Sequence, residues 1–191
     1  MGSIVPTRST MSAFSIRFQP EADDALLAEA DAIVQRFGAR VTWEHSPACK
    51  RTYGLVEGAD AACASALREA TRAAVLDRPI IALAITPSLA EALPPLLHAL
   101  GGPGRPAGVL ACEPIGGTAI VEWDLDATPF DVVLGLVDIE IDRFRARRVN
   151  ALLSPLPLEW WTRIAATGLR SPDITAQRVL EEQLEVHGVL D

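Results

Sequence analysis

Lysine is all but missing from this chain of 191 residues: of its 17 basic side chains only Lys50 is lysine, and the rest are arginine. Schiff-base or lysine general-base chemistry therefore has one candidate. Cysteine is scarce as well. Cys49, Cys63 and Cys112 are too few and too irregularly spaced for a disulfide framework, and their odd count points to reduced thiols. No apolar run approaches the ~18–20 residues of a membrane span. The first residues, MGSIVPTRSTMSAF, lack a basic start followed by an apolar stretch of ~7–15 residues, so no secretory signal or anchor is read there. These absences lead us to expect a cytoplasmic protein. Positive charge is also in deficit, with 17 basic against 25 acidic residues and a net charge of -8, which argues against nucleic acid or an anionic membrane as partner.

What is present is a core. Hydrophobic residues make up 49% of the chain and charged residues 22%, the balance of a folded domain. The length suits one domain of ~100–150 residues with an appendage. We read residues 1–10 as a mobile leader, 11–150 as an α+β domain and 151–191 as a C-terminal helical appendage.

Segment 12–18 (SAFSIRF) alternates with Phe14, Ile16 and Phe18 on one face, as a half-buried strand does. Acidic residues after Pro20 open a helix, Leu26, Ala30, Ile33, Val34 and Phe37 mark its apolar stripe, and Gly38 stops it. Two alternating segments, 40–45 and 51–57, joined by SPACK, predict a hairpin. A helix over about 60–76 shows a small-residue stripe, and the apolar run 79–86 (PIIALAIT) suits a strand covered on both faces. Strand, helix, strand, strand, helix, strand is the element order of the ferredoxin-like βαββαβ motif, an antiparallel sheet with both helices on one face.

Beyond it, Ser88 and Glu91 form a capping-box pattern opening a third helix that Pro94-Pro95 divides in two. The loop Gly101-Gly102-Pro103-Gly104 lacks the Lys-Ser/Thr ending of a phosphate-binding P-loop and reads as a connector. Gly116-Gly117 then joins strands 108–115 and 118–126 by a two-residue turn. That register sets 115 opposite 118, 112 opposite 121 and 110 opposite 123. It gathers Leu110, Cys112, Pro114, Ala119, Val121, Trp123 and Leu125 on a core face, and Glu113, Glu122 and Asp124 on the other with Val109, Ala111 and Ile120. A long helix is expected over 128–150. The whole reads as a ferredoxin-like core extended by a second ββα hairpin-helix unit, which reuses the strand at 79–86, and by a C-terminal helical pair.

Two groups of side chains carry chemistry. The first hairpin turn holds Glu44, His45, Cys49, Lys50, Arg51 and Tyr53, where a histidine and two cations near a cysteine would favour a thiolate nucleophile. Catalysis at this turn would use Glu44, His45, Cys49, Lys50 and Tyr53. The alternative is a solvated turn, polar because turns meet water. Zinc is disfavoured, since His45 and Cys49 supply two donors where a structural site takes about four. The second group, Glu113, Glu122 and Asp124, would hold a divalent cation or a raised-pKa acid if another layer covered it, and would be a plain polar face if water did. The water-covered face is expected, because antiparallel sheets often expose one side. No cofactor is indicated.

Arg143, Arg145, Arg147 and Arg148 form a basic run that complements the end of the 128–150 helix. The excess apolar surface of that helix and the exposed indole expected at Trp160 suggest a homo-oligomer or a protein partner. The leading expectation is thus an oligomeric binding, regulatory or assembly module. The alternatives are a small-molecule enzyme working at the Glu44–Tyr53 turn and an accessory subunit of a larger complex.

Overall fold

The computed structural model describes residues 13–46, 49–127, 133, 135, 136, 140 and 143–150, the last three by backbone alone. The leader 1–10, the appendage 151–191 with Trp160, and most of 128–142 lie outside the described residues. The chain is mixed α+β and divides into two compact units, Met1–Arg78 and Pro79–Asp191. No helix among the described residues is long and apolar enough to cross a membrane.

In the first unit, strand β1 (Ala13–Phe18) leads into helix α1 (Asp24–Arg36), followed by β2 (Arg40–Ser46), β3 (Arg51–Glu57), helix α2 (Ala61–Thr71) and the short β4 (Ala74–Leu76). The strands form one antiparallel sheet in the order β2-β3-β1-β4. Alternation along β1 sends Phe14, Ile16 and Phe18 to the face on which Ala30, Ile33 and Val34 of α1 and Cys63, Ala64 and Leu67 of α2 close the core. Each buried large side chain contributes ~1.5–3 kcal/mol. Both helices begin on an aspartate. Asp23 Oδ1 accepts from Leu26 N at 2.8 Å, and Asp60 Oδ1 accepts from Ala62 N and Cys63 N at 3.1 and 3.0 Å.

Helix α2 is shorter than its small-residue stripe suggests. Arg72 adopts φ 55, Thr71 Oγ1 donates to Leu67 O at 2.6 Å, and the chain turns into β4. It is β4, not the apolar run 79–86, that completes the first sheet. The expected reuse of that run is therefore corrected: it belongs to the second sheet alone. A three-residue edge strand offers too little alternation to be seen in sequence.

The second unit runs β5 (Ile80–Pro87), a 3₁₀ turn (Ala90–Ala92), α3 (Leu93–Gly101), β6 (Val109–Ile115), β7 (Thr118–Asp124) and β8 (Ala146–Asn150), with helical positions described at 133, 135, 136, 140, 143 and 144. Its sheet has the order β6-β7-β5-β8, again antiparallel. In chain order within each unit, both sheets therefore read second, third, first, fourth strand. Ile81, Leu83 and Ile85 of β5 pack with Leu96 and Leu100 of α3 and with Val121 and Trp123 of β7. Ile80, Ala82 and Ala84 on its other face are equally buried, as the continuous apolar run predicts.

Three expectations change here. Residues 146–150 are a strand paired with β5 rather than the end of a helix; Arg145 takes φ 49 and turns the chain out of the helix. The basic run is split accordingly, with Arg147 and Arg148 on β8, so they do not complement a helix end. Ser88 does not cap a helix: its backbone N–H donates to Arg145 O at 2.9 Å, its hydroxyl donates to the same carbonyl, and the prolines sit at the opening of α3 rather than dividing it. In the hairpin, 115 faces 118 and 112 faces 121 as expected, but Val109 and not Leu110 faces Trp123. A β-bulge at Leu110 absorbs the extra residue, which returns Val109 to the core face.

Candidate functional site

The chemistry-bearing group of the first unit is assembled at the turn between β2 and β3. These strands pair without interruption from Arg40↔Glu57 to Ser46↔Arg51. Because paired residues share a face and neighbours alternate, Ser46, Arg51, Glu44 and Tyr53 lie on one side of the sheet, whereas His45 and Thr52 lie on the side of the helices. Pro47 and Ala48 lie outside the described residues.

On the helix side, His45 Nδ1 is 3.1 Å from Thr52 Oγ1 and 3.4 Å from Glu21 Oε1. Thr52 Oγ1 also accepts from Ala22 N at 3.1 Å, which ties the β1–α1 loop to the hairpin. On the other side, Arg51 is fully buried. Its Nη1 donates to Tyr53 Oη at 3.2 Å and its Nη2 to Gln19 Oε1 at 3.1 Å. Ser46 is buried beside it, and its hydroxyl has no hydrogen-bond partner among the described residues. The guanidinium, the phenol and the serine hydroxyl are thus packed inside the protein rather than presented on its surface.

Burial pushes the Glu44 carboxyl above its ordinary value, and the neighbouring His45 pulls it partly back. Cys49 is buried in the turn, where its backbone N–H donates to Ser46 O at 3.1 Å. Lys50 is exposed at φ 49. The six residues predicted from the sequence are thus close along the chain but distributed over two faces. Strand alternation separates His45 from Glu44, Arg51 and Tyr53. Gln19, Glu21, Ser46 and Thr52 join the site without having been singled out. The signal for the first two is the β1–β3 pairing Phe18↔Thr52, which brings the loop after β1 to the hairpin turn.

The second group also differs from expectation. Register places Glu113, Glu122 and Asp124 on one face, but Glu122 and Asp124 are 1% and 3% exposed, so water does not cover them. Asp124 Oδ1 accepts from Asp126 N and Ala127 N at 2.9 and 3.2 Å, closing the turn after β7. No group of three or more His, Cys, Asp or Glu side chains suited to a metal ion occurs among the described residues. Burial, with Glu113 adding repulsion, pushes the Cys112 thiol up to about 11. Burial, with Asp60 beside it, pushes Cys63 up as well.

A scan against protein-family models finds none that matches this chain, and a search of curated proteins finds no match.

Proposed function

We propose that the protein is an oligomeric binding or assembly module made of two ferredoxin-like units, not an enzyme acting at its first hairpin. The strand orders β2-β3-β1-β4 and β6-β7-β5-β8 support the ferredoxin-like assignment, since each is the order that a βαββαβ chain gives in that motif. The observation that carries the functional reading is the partition of the hairpin. His45 is engaged with Thr52 and Glu21 on the helix side, away from Glu44 and Tyr53, and Cys49 is 4% exposed. A nucleophile and its base need mutual hydrogen-bond reach and access to substrate.

One observation favours a second reading, that of a small-molecule enzyme: the burial that raises the Glu44 carboxyl is the means by which a glutamate becomes a general acid.

Thiol labelling separates the two. With iodoacetamide at pH 7, Cys49, which is buried in the turn, should react more slowly than the thiol of a free cysteine peptide. Labelling of Cys49 ten or more times faster than that free thiol would show an activated thiolate and overturn the binding reading.

A further inference from the structure

Among the described residues four strand edges end the two sheets, and three of them carry features that hinder pairing with another chain. Strand β4 is three residues long. Strand β6 contains the bulge at Leu110 and Pro114, and the pairing of β8 with β5 shifts register between Ala84 and Ile85. Short strands, bulges and prolines are the usual means of blunting an edge. Strand β2 has none of them. Its seven residues, RVTWEHS, contain neither proline nor glycine, keep one register with β3 throughout, and leave their other edge unpaired among the described residues. Arg40 and Thr42 are exposed on that strand.

The sequence of β2 is complementary to itself in one antiparallel register. Two copies related by a twofold axis perpendicular to the sheet keep their faces, so residue pairs must share parity. Centred on Thr42, Arg40 lies opposite Glu44 of the second copy, twice, on one face, and Val41 lies opposite Trp43 of the second copy, twice, on the other. Opposite charges and aromatic–β-branched pairs are the favourable cross-strand combinations. Shifting the centre to Trp43 sets Arg40 against Ser46 and Val41 against His45. Shifting it to Val41 sets Arg40 against Thr42. Both shifts lose the charge pairs. Within its own sheet Arg40 already lies beside Glu57, so the guanidinium would sit between two carboxylates.

We propose that β2 is a homodimerisation edge, pairing antiparallel with β2 of a second copy about Thr42 to join the two four-stranded sheets of the first units into one eight-stranded sheet. The inference deepens the assembly reading above and rests on it.

The test uses the full chain and light scattering at micromolar concentration. Wild type should be dimeric. Arg40→Glu and Glu44→Arg each turn two attractive pairs into like-charge pairs, and each should weaken the dimer roughly tenfold or more. An equimolar mixture of the two variants should restore the dimer, because their heterodimer regains both opposite-charge pairs. Under mild oxidation Thr42→Cys should give a disulfide-linked dimer, since directly opposed cross-strand residues lie ~4.5–5.5 Å apart at Cα. Arg40→Cys should not. Arg40 and Thr42 are exposed, so these variants remain informative if Glu44→Arg does not fold. A dimeric wild type whose charge variants stay dimeric and whose Thr42→Cys variant does not crosslink would overturn this edge and leave the assembly reading standing. A wild type monomeric at every concentration would overturn both.

Discussion

The two units share a strand order and differ in what fills it. In the first sheet, the face away from the helices buries Ser15, Arg51 and Tyr53, and the β2–β3 ladder is regular over its whole length. In the second sheet, the corresponding face buries Ile80, Ala82, Ala84 and Ile120 beside Glu122 and Asp124, and the β6–β7 ladder is interrupted by a bulge. The comparison separates two levels of information. Element order, turns and alternation fix which strands neighbour each other, whereas side-chain chemistry on a covered face varies as long as each polar group finds partners. The first unit buries polar side chains on this face where the second buries mostly apolar ones.

The tryptophans give the largest test of this difference. Trp123 is fully buried in the core of the second unit, and Trp123→Ala should cost ~3–5 kcal/mol. Trp43 is half-buried, lies against the tilted ring of Phe18 at 5.9 Å and donates from Nε1 to Asp31 Oδ1 at 2.9 Å. Trp43→Ala should cost less, ~1–3 kcal/mol. Urea titrations of both variants check the ranking, and equal costs would mean that the two cores are filled alike.

Next in size is the close approach that Trp43 makes to the sheet. A Cβ added at Gly54 would meet the Trp43 ring, with Cε3 2.7 Å away. Gly54→Ala should therefore destabilise by ~1–3 kcal/mol through overpacking. In a Trp43→Ala background the same change should cost less than ~1 kcal/mol, and the double-mutant cycle measures the coupling. A cost unchanged by removal of the indole would place the strain elsewhere.

Much of the fold was legible because strong periodicity needs no tertiary information: Phe14, Ile16 and Phe18, the α1 stripe from Leu26 to Val34 and the run in β5 lie where alternation or helical spacing puts them, while Phe37, the last residue of the expected stripe, caps the helix and is 38% exposed. What escaped was decided over a distance. Strand β4 is defined by its pairing with β1, and β8 by its pairing with β5, neither of which leaves a local pattern in three to five residues. The bulge at Leu110 shifted one pair of a hairpin whose turn was correctly placed, with Gly116 at φ +60. The candidate site was only half legible for a simpler reason. Nearness along a strand is not nearness in space, because residues one apart on a strand face opposite ways, as His45 and Glu44 do.

The smallest expected effect concerns how helices begin in the two units. Asp60 adopts an extended backbone, φ -111 and ψ 177, and its side chain accepts from two N–H groups of the first turn of α2, as an N-cap should. Asp60→Ala should cost ~1 kcal/mol. The residue before α3, Ala92, is instead at φ -82 and ψ -12, already helical, and α3 is entered from the 3₁₀ turn with proline in its opening positions. A capping side chain needs the extended geometry to reach back to the N2 and N3 N–H groups, and proline removes a donor there. Ala92→Asp should therefore stabilise by less than ~0.5 kcal/mol, within the range of a dipole contribution at an exposed helix end. Thermal denaturation of both variants measures the pair. A gain at Ala92 as large as the loss at Asp60 would mean that α3 starts by the same mechanism as α2, and that the two units differ less than their helix entries indicate.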